Sequence, residues 1–359
     1  MYNCEIKTYG FTSEPYALKE IINSIVFNQD VVVYIADLLV DSFPYEEIIQ
    51  KNKDNLFLII FSPEGHAYRE FRQSIDYLIA HCGVIPKNIC IHSTALRDNN
   101  NPVSLIGNIA GIAGLTINDI DVDPDHSFNN TSPSHHFICL NRMPRWERAK
   151  LIDGIFDRNL DQYGKISYST IPVRRDYDLV EARMGFKQKY WSRIPMILDQ
   201  DNMTVDRSFD ISNINIQGAL FNVVTESAYE SIDPTVDAVA QNSPGITEKT
   251  FKAFILGQIP IFIAPMGTVQ CTRELGFDVF DDIVDHSYDN IEDPSKRIDE
   301  ILNQIEYVCN TYSVNDLAKL KEKIHIRFKY NTQTLKMWAF NNAQLIRQWV
   351  DYFREQGVV

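Results

Sequence analysis

ITEKTFKAFILGQIPIFIAP, Ile246 to Pro265, spells out one complete helix-to-strand unit. Thr247 is an N-cap residue type, and Glu248 and Lys249 open the first turn. Phe251, Phe254 and Ile255 share one face of a 3.6-residue period, and Gly257 ends the helix before a short apolar strand. Lys249 is electrostatically out of place. A helix N-terminus carries partial positive charge and unpaired amide donors, so a cation there is disfavoured unless an anion shares the site, and a bound phosphate would resolve the conflict. A solvated lysine on a surface helix is the simpler reading of this residue alone.

The anomaly recurs in CLNRMPRWERAKLID, Cys139 to Asp153. The preceding HHFICL reads as a strand, Asn141 can cap, Pro144 suits a first helical turn, and Trp146, Ala149, Leu151 and Ile152 supply the buried side. Arg142, Arg145 and Arg148 crowd the helix start, where Asp or Glu would complement the dipole. Guanidiniums are the side chains best shaped for bidentate phosphate contact. Both strand-to-helix junctions thus read as anion sites, with pairing to Glu147 or more distant carboxylates as the alternative for each arginine.

Working outward, the N-terminal part alternates strand-like VVVYIADLLV near Val31, helical PYEEIIQKN, strand NLFLIIFS from Asn55, helical AYREFRQSIDYLIAHCG to Gly83 and strand NICIHS at Asn88. An apolar helical segment is expected from Val103 to Leu115. Continuous apolar strands between amphipathic helices indicate a parallel sheet covered on both faces. No G-x-G-x-x-G loop marks a dinucleotide site. From Thr116 to Ser134 the composition turns to Asp, Asn, Ser and Pro, the best domain boundary. Beyond it come HHFICLN, the helix after Arg145, strands KISYST and ALFNVVTES, the opening unit, and helices PSKRIDEILNQIEYVCN and TLKMWAFNNAQLIRQWVDYF. The expected fold is α/β with two Rossmann-like domains facing a cleft: residues 1–134 on the acceptor side, 135–333 binding the nucleotide, and a C-terminal helix over 334–359.

A length of 359 residues suits two α/β domains, and 45% hydrophobic residues with 20 Phe, 17 Tyr and 4 Trp exclude a disordered chain. The formal charge of −14 argues against nucleic-acid binding through bulk electrostatics, though it leaves room for a local basic channel. Six cysteines without Cys-x-x-Cys or His-x-x-x-His spacing read as buried free thiols. No run is long and apolar enough to span a membrane, and the first residues lack the pattern of a signal peptide, so a cytoplasmic, reduced protein is expected.

FNVVTES (Phe221 to Ser227), then ITEK (Ile246 to Lys249), KAFILG and IPIFI follow the order of a known signature. It consists of an apolar strand ending Phe-Glu-Asn-Ser, then Tyr-Ile-Thr-Glu-Lys, an apolar helix, a Gly and a Val-Pro-Val-Val strand. The chain thereby resembles the fucosyltransferase family over about Phe221 to Asp282 and, more weakly, Asn141 to Ile152. Ser227 stands where Asn is usual, and Pro244-Gly245 replaces Asp-Tyr. The resemblance implies a GT-B fold, a GDP-sugar donor and transfer with inversion to a glycan hydroxyl; no metal cofactor is expected, because arginine and lysine supply the charge a divalent ion would. It implies that Glu248 holds the donor ribose, Lys249 meets the pyrophosphate, Arg148 is the best match for the phosphate-binding arginine with Arg145 a close second, both in the stretch opened by Asn141, and Glu226 lies near the donor sugar.

Such transfer needs the leaving diphosphate stabilised by cations and helix N-termini, and the acceptor hydroxyl deprotonated by a carboxylate. Glu64, with His66 beside it, is the preferred base because ligand sites form outside the carboxyl ends of parallel strands. Asp37 is the other candidate. Three further readings stand beside this one. Asp121, Asp123 and Asp125 have the spacing of an Asp-x-Asp metal site or of a solvated linker. RRDYDLVEARMGFKQKYWSR, Arg174 to Arg193, interleaves cations and aromatics as an amphipathic helix does, or as a nucleic-acid groove would in an enzyme that glycosylates a modified, hydroxymethylated DNA base. An inactive binding protein on the same fold is the third.

Overall fold

The computed structural model describes residues 2–9, 16–36, 44–62, 68–93, 104–107, 132–141, 145–168, 188–193, 196, 214–226, 229, 244–340 and 342–359. The chain forms two compact units, one of residues 1–112, 237–245 and 338–359, the other of 113–236 and 246–337. Each is α/β and built on its own parallel sheet.

In the first unit, strands β1 (Cys4–Tyr9), β2 (Val31–Ala36), β3 (Leu56–Ser62), β4 (Ile89–Ser93) and β5 (Ser104–Gly107) lie side by side in chain order. Every pairing is parallel, with Ile35 against Ile59 and Ile59 against Cys90. The pleat sends alternate residues to opposite faces. Val31, Val33, Ile35, Phe57 and Ile59 meet Leu18 and Ile22 of α1 (Tyr16–Asn23). On the other face Tyr34, Ala36, Leu58 and Ile60 meet Ile48 of α2 (Tyr45–Ile49) and Ile75 and Leu78 of α3 (Tyr68–Ala80). Burial on both faces is why these strands read as unbroken apolar runs.

The expected helix from Val103 is corrected over its described part: Ser104–Gly107 is a strand paired to β4. Four apolar-rich residues are ambiguous by period, and the open edge of β4 decides them by offering a ladder of backbone partners. β1 and α1, absent from the sequence reading, supply the first strand and its cover.

The second unit holds β6 (His135–Asn141), β7 (Gly164–Tyr168), β8 (Ala219–Thr225) and β9 (Ile259–Ile263), ordered β7-β6-β8-β9 and all parallel. Helices α4 (Trp146–Asp157), α5 (Ile214–Gln217), α6 (Glu248–Ile255), α7 (Thr268–Glu274), α8 (Pro294–Thr311) and most of α9 (Val314–Phe340) complete its described helices. Thr247 caps α6 and Gly257, at φ +62°, leaves it in the left-handed conformation that glycine tolerates. Asp293 caps α8 by accepting from the amides of Ser295 and Lys296 at 2.9 Å each, with Pro294 in the first turn. At Gly154 of α4 a Cβ would come within 2.3 Å of Leu302 Cδ1 of α8, so a larger residue here would oblige the Leu302 side chain to shift.

Both sheet edges are engaged. Tyr168 of β7 exchanges two backbone hydrogen bonds with Met196. On β9 the amide of Phe262 donates to Tyr288 Oη at 3.0 Å, while His286 bridges Tyr288 Oη and the Val279 carbonyl. Such cover removes a template for strand addition.

The aromatic-rich C-terminal stretch, expected as one helix from 334, divides between α9 and α10 (Asn342–Glu355). Leu345, Trp349, Tyr352 and Phe353 of α10 join the core of the first unit, whereas Leu317, Ile324 and Phe328 of α9 belong to that of the second. The two halves serve different cores. All six cysteines are free, five buried and Cys4 half-buried. Among the described residues no helix is long and apolar enough to cross a membrane.

Candidate functional site

The strand order of the second unit reverses once. From the central β6 the chain moves through α4 to β7 on one side and returns to β8 on the other, so connections leave the carboxyl ends of β6 and β8 in opposite directions. That is the switch point at which open α/β sheets take ligands. The first sheet, in unbroken order over its described strands, has no such reversal. Asn141 ends β6, Glu226 follows β8, Arg145 and Arg148 open α4, and Glu248 and Lys249 open α6.

Asn141 is not the helix cap. It is the last residue of β6, and α4 starts only at Trp146, with Arg145 as an extended N-cap residue whose side chain makes no capping bond. A cap must stand directly before the first turn, and Asn141 lies too far upstream. Its backbone amide donates to Ser167 Oγ at 3.2 Å and its Nδ2 to Cys139 Sγ at 3.2 Å. Arg142 and Pro144 lie outside the described residues.

Arg148 is 4% exposed. Its guanidinium donates to the carbonyls of Glu226 at 3.1 Å and Thr225 at 3.5 Å, and its Nε lies 3.7 Å from the buried carboxylate of Glu147. Arg148 thus ties α4 to the end of β8. The Glu147 partner that sequence reasoning held as the alternative is present.

Glu226, 2% exposed, turns its carboxylate to the start of α6. Oε1 accepts from the Thr247 amide at 3.0 Å and the Thr250 hydroxyl at 2.6 Å, and Oε2 accepts from the Thr247 hydroxyl at 2.5 Å. A buried carboxylate at a helix N-terminus is the anion that the dipole calls for. The chain therefore fills the α6 junction with its own side chain.

Lys249 Nζ lies 2.7 Å from Glu248 Oε1 and 3.3 Å from Thr247 Oγ1, with about a third of the side chain exposed. Burial acts to raise the Glu248 pKa, but the charge of Lys249 and hydrogen bonds from Lys249, the Glu248 amide and Thr247 outweigh it and hold the carboxyl below its usual range. At neutral pH Glu248 is an ionised acceptor at the mouth of α6.

Three residues of this region escaped sequence reasoning. Arg297, in the first turn of α8, is buried and donates to the carbonyls of Ile291, Ala264 and Glu292, the second of these just past β9. Tyr229 lies 5.5 Å from the Arg297 guanidinium and from the Trp146 ring, and its hydroxyl donates to the Pro294 carbonyl. Thr250 serves Glu226. Arg297 ties the turn just before its own helix to the remote Ala264 carbonyl, and Tyr229 acts on the remote Pro294 carbonyl; main-chain acceptors of this kind leave no mark in the side-chain sequence. Thr250 stands three residues after the cap Thr247, a spacing that could have drawn attention.

Glu64, His66, Asp37 and the Asp121, Asp123 and Asp125 group lie outside the described residues, as does Ser227. Among the described residues no three metal-capable side chains cluster. Of the Arg174 to Arg193 stretch, Gln188–Arg193 forms a short 3-10 turn rather than part of an amphipathic helix. There Lys189 pairs with Asp157 at 2.5 Å and Arg193 with Asp161 at 2.6 Å, while the Arg193 guanidinium lies 3.7 Å from the Phe156 ring centre. Both described cations are thus engaged by α4 and the turn after it.

The two junctions differ chemically. The α6 start holds Glu226, whereas the α4 start has Arg145 at its cap position, making no capping bond, and Arg148 beside the buried Glu147 in its first turn. Comparison with protein-family models, curated proteins and solved structures finds no match to this chain.

Proposed function

We propose that this protein is a glycosyltransferase that takes a sugar from a nucleotide-diphosphate donor and places it on a glycan hydroxyl. One observation carries the reading: at the switch point between β6 and β8, Arg145 stands as the N-cap residue of α4 with a side chain that makes no capping bond, and Arg148 follows in the first turn beside the buried Glu147. A diphosphate is the group that such a helix end suits. The resemblance of Phe221 to Asp282 to the fucosyltransferase family supports, within this reading, a GDP-linked donor, inverting transfer and a GT-B type of fold.

In this reading the leaving diphosphate takes its charge to the α4 amides and Arg145, with Lys249 adding a second cation from the mouth of α6. Glu248, ionised and partly exposed, accepts from the ribose hydroxyls. The acceptor oxygen bonds to the anomeric carbon as the bond to the β-phosphate oxygen breaks, and its proton passes to a carboxylate, for which Glu64 is nominated from sequence. No metal is required where cations and amides meet the phosphates. Of the cations between Arg174 and Arg193, the two described, Lys189 and Arg193, pair with Asp157 and Asp161, and the glycan is retained as the acceptor of this reading.

The test is nucleotide-dependent thermal stability. GDP should raise the melting temperature of the wild-type chain, and Arg145→Ala should weaken GDP binding about tenfold or more, the size of a lost charged hydrogen bond. Equal binding by both proteins would remove α4 as the phosphate site. No stabilisation by any nucleoside diphosphate would remove the glycosyltransferase reading.

A further inference from the structure

Asn141 is 1% exposed, and its Oδ1 is buried without a hydrogen-bond partner among the described residues. Leaving a buried acceptor unpaired is costly, so its location matters. Asn141 shares a face of β6 with Phe137 and Cys139, the face against which Trp146 and Ala149 of α4 pack, while Ile138 and Leu140 turn to the other side. Its Nδ2 is taken by Cys139 Sγ. Burial pushes the Cys139 thiol up to about 12, and the same thiol lies within the electrostatic reach of Arg148. The unpaired oxygen therefore sits at the carboxyl end of β6, on the side of the sheet where α4 begins.

An amide oxygen only accepts. Sulfate or a fully ionised phosphate has no proton to give it, so an anion at the α4 start would leave Asn141 as it is. We infer that Asn141 is a specificity-determining residue that accepts a hydrogen bond from a hydroxyl of the anionic ligand, so that the site selects a phosphorylated polyol over a bare anion. This rests on the donor-site reading given above. The hydroxyl comes from the ribose or from the transferred sugar, and the ligands chosen for the test separate the two.

Asn141→Leu keeps the side-chain shape and removes the acceptor. Replacing an unpaired buried polar group by an apolar one of similar size is near neutral or stabilising, so the ligand-free variant should melt no lower than wild type. Dissociation constants for sulfate, GDP and GDP-fucose are then compared by thermal shift and calorimetry. Sulfate affinity should be unchanged. Affinity for GDP-fucose should fall roughly tenfold, the effect of one lost hydrogen bond. A parallel fall for GDP assigns the hydroxyl to the ribose, and an unchanged GDP affinity assigns it to the transferred sugar.

Equal losses for all three ligands, or none for any, overturn the role of Asn141 while leaving nucleotide binding standing. An acceptor satisfied by a buried water alone gives that second result. Failure of wild type to bind either nucleotide while it binds sulfate overturns the donor reading and the inference together. Should the leucine variant not fold, Asn141→Ala carries the same comparison.

Discussion

Arg148 and Lys249 both stand in first turns with the same charge, yet their removal should have unequal effects. Arg148→Ala strips two carbonyls at the end of β8 and the buried Glu147 carboxylate of their cation, and breaking a buried pair in this way costs about 3 kcal/mol or more. Lys249→Ala loses a partly exposed pair with Glu248 and should cost less than about 1 kcal/mol. Urea unfolding of the two variants measures the difference, and equal destabilisation would contradict the placement of Arg148 as a tie between α4 and β8. Both residues were legible in the sequence as cations at the wrong end of a helix. Their neighbours Glu147 and Glu248 were legible too, but the carbonyls that Arg148 holds were not, because they arrive from the end of a strand more than 70 residues further along the chain.

At the scale of one element, α9 buries Leu317, Ile324, Phe328 and Leu335 along one stripe, and Lys321 falls on it. The lysine is 5% exposed, and burial pushes its pKa down to about 8. The unfolded chain, with lysine near its ordinary value, binds more protons between these two values, so the contribution of Lys321 to stability rises with pH from about 8 to about 10.4 and is fully unfavourable below 8. Lys321→Met should therefore stabilise the protein at pH 7 by on the order of 1 to 3 kcal/mol, with the gain shrinking as the pH rises above about 8. Denaturant titrations at pH 7, 9 and 10.5 follow the gap between variant and wild type. A pH-independent gap, or a loss at pH 7, would show that the amine is well accommodated as a cation.

For the whole molecule, the C-terminal α10 decides which residues make up the first core. Trp349 is fully buried among Val33, Phe57 and Phe353 in that unit. Trp349→Ala should cost about 3 to 5 kcal/mol, the usual range for deleting a large aromatic from a core. Because each unit has its own sheet and core, calorimetry should show the loss in the transition of the first unit, with that of the second unshifted. A uniform shift of one single transition would mean that the two units unfold as one.

Ile246 to Pro265 determined its own structure. Cap, stripe, glycine stop and apolar strand are local instructions with a fixed period, and α6 and β9 follow them residue by residue. The same local logic marked β2, β3, β4, β6 and α8, and with them the α/β class. It failed at Ser104–Gly107, too short to show a period, and at the boundary between α9 and α10, where the cores on either side and not the sequence pattern set the division. Strand order was also beyond it, since register and crossover are chosen by contacts between segments far apart in the chain. That order alone creates the reversal between β6 and β8. Local sequence marked where the cations stood and offered Glu147 and Glu248 as their neighbours, and the tertiary structure decided what else fills the junctions: the Glu226 carboxylate at the start of α6 and the β8-end carbonyls on Arg148, both brought in from segments that no window of sequence spans.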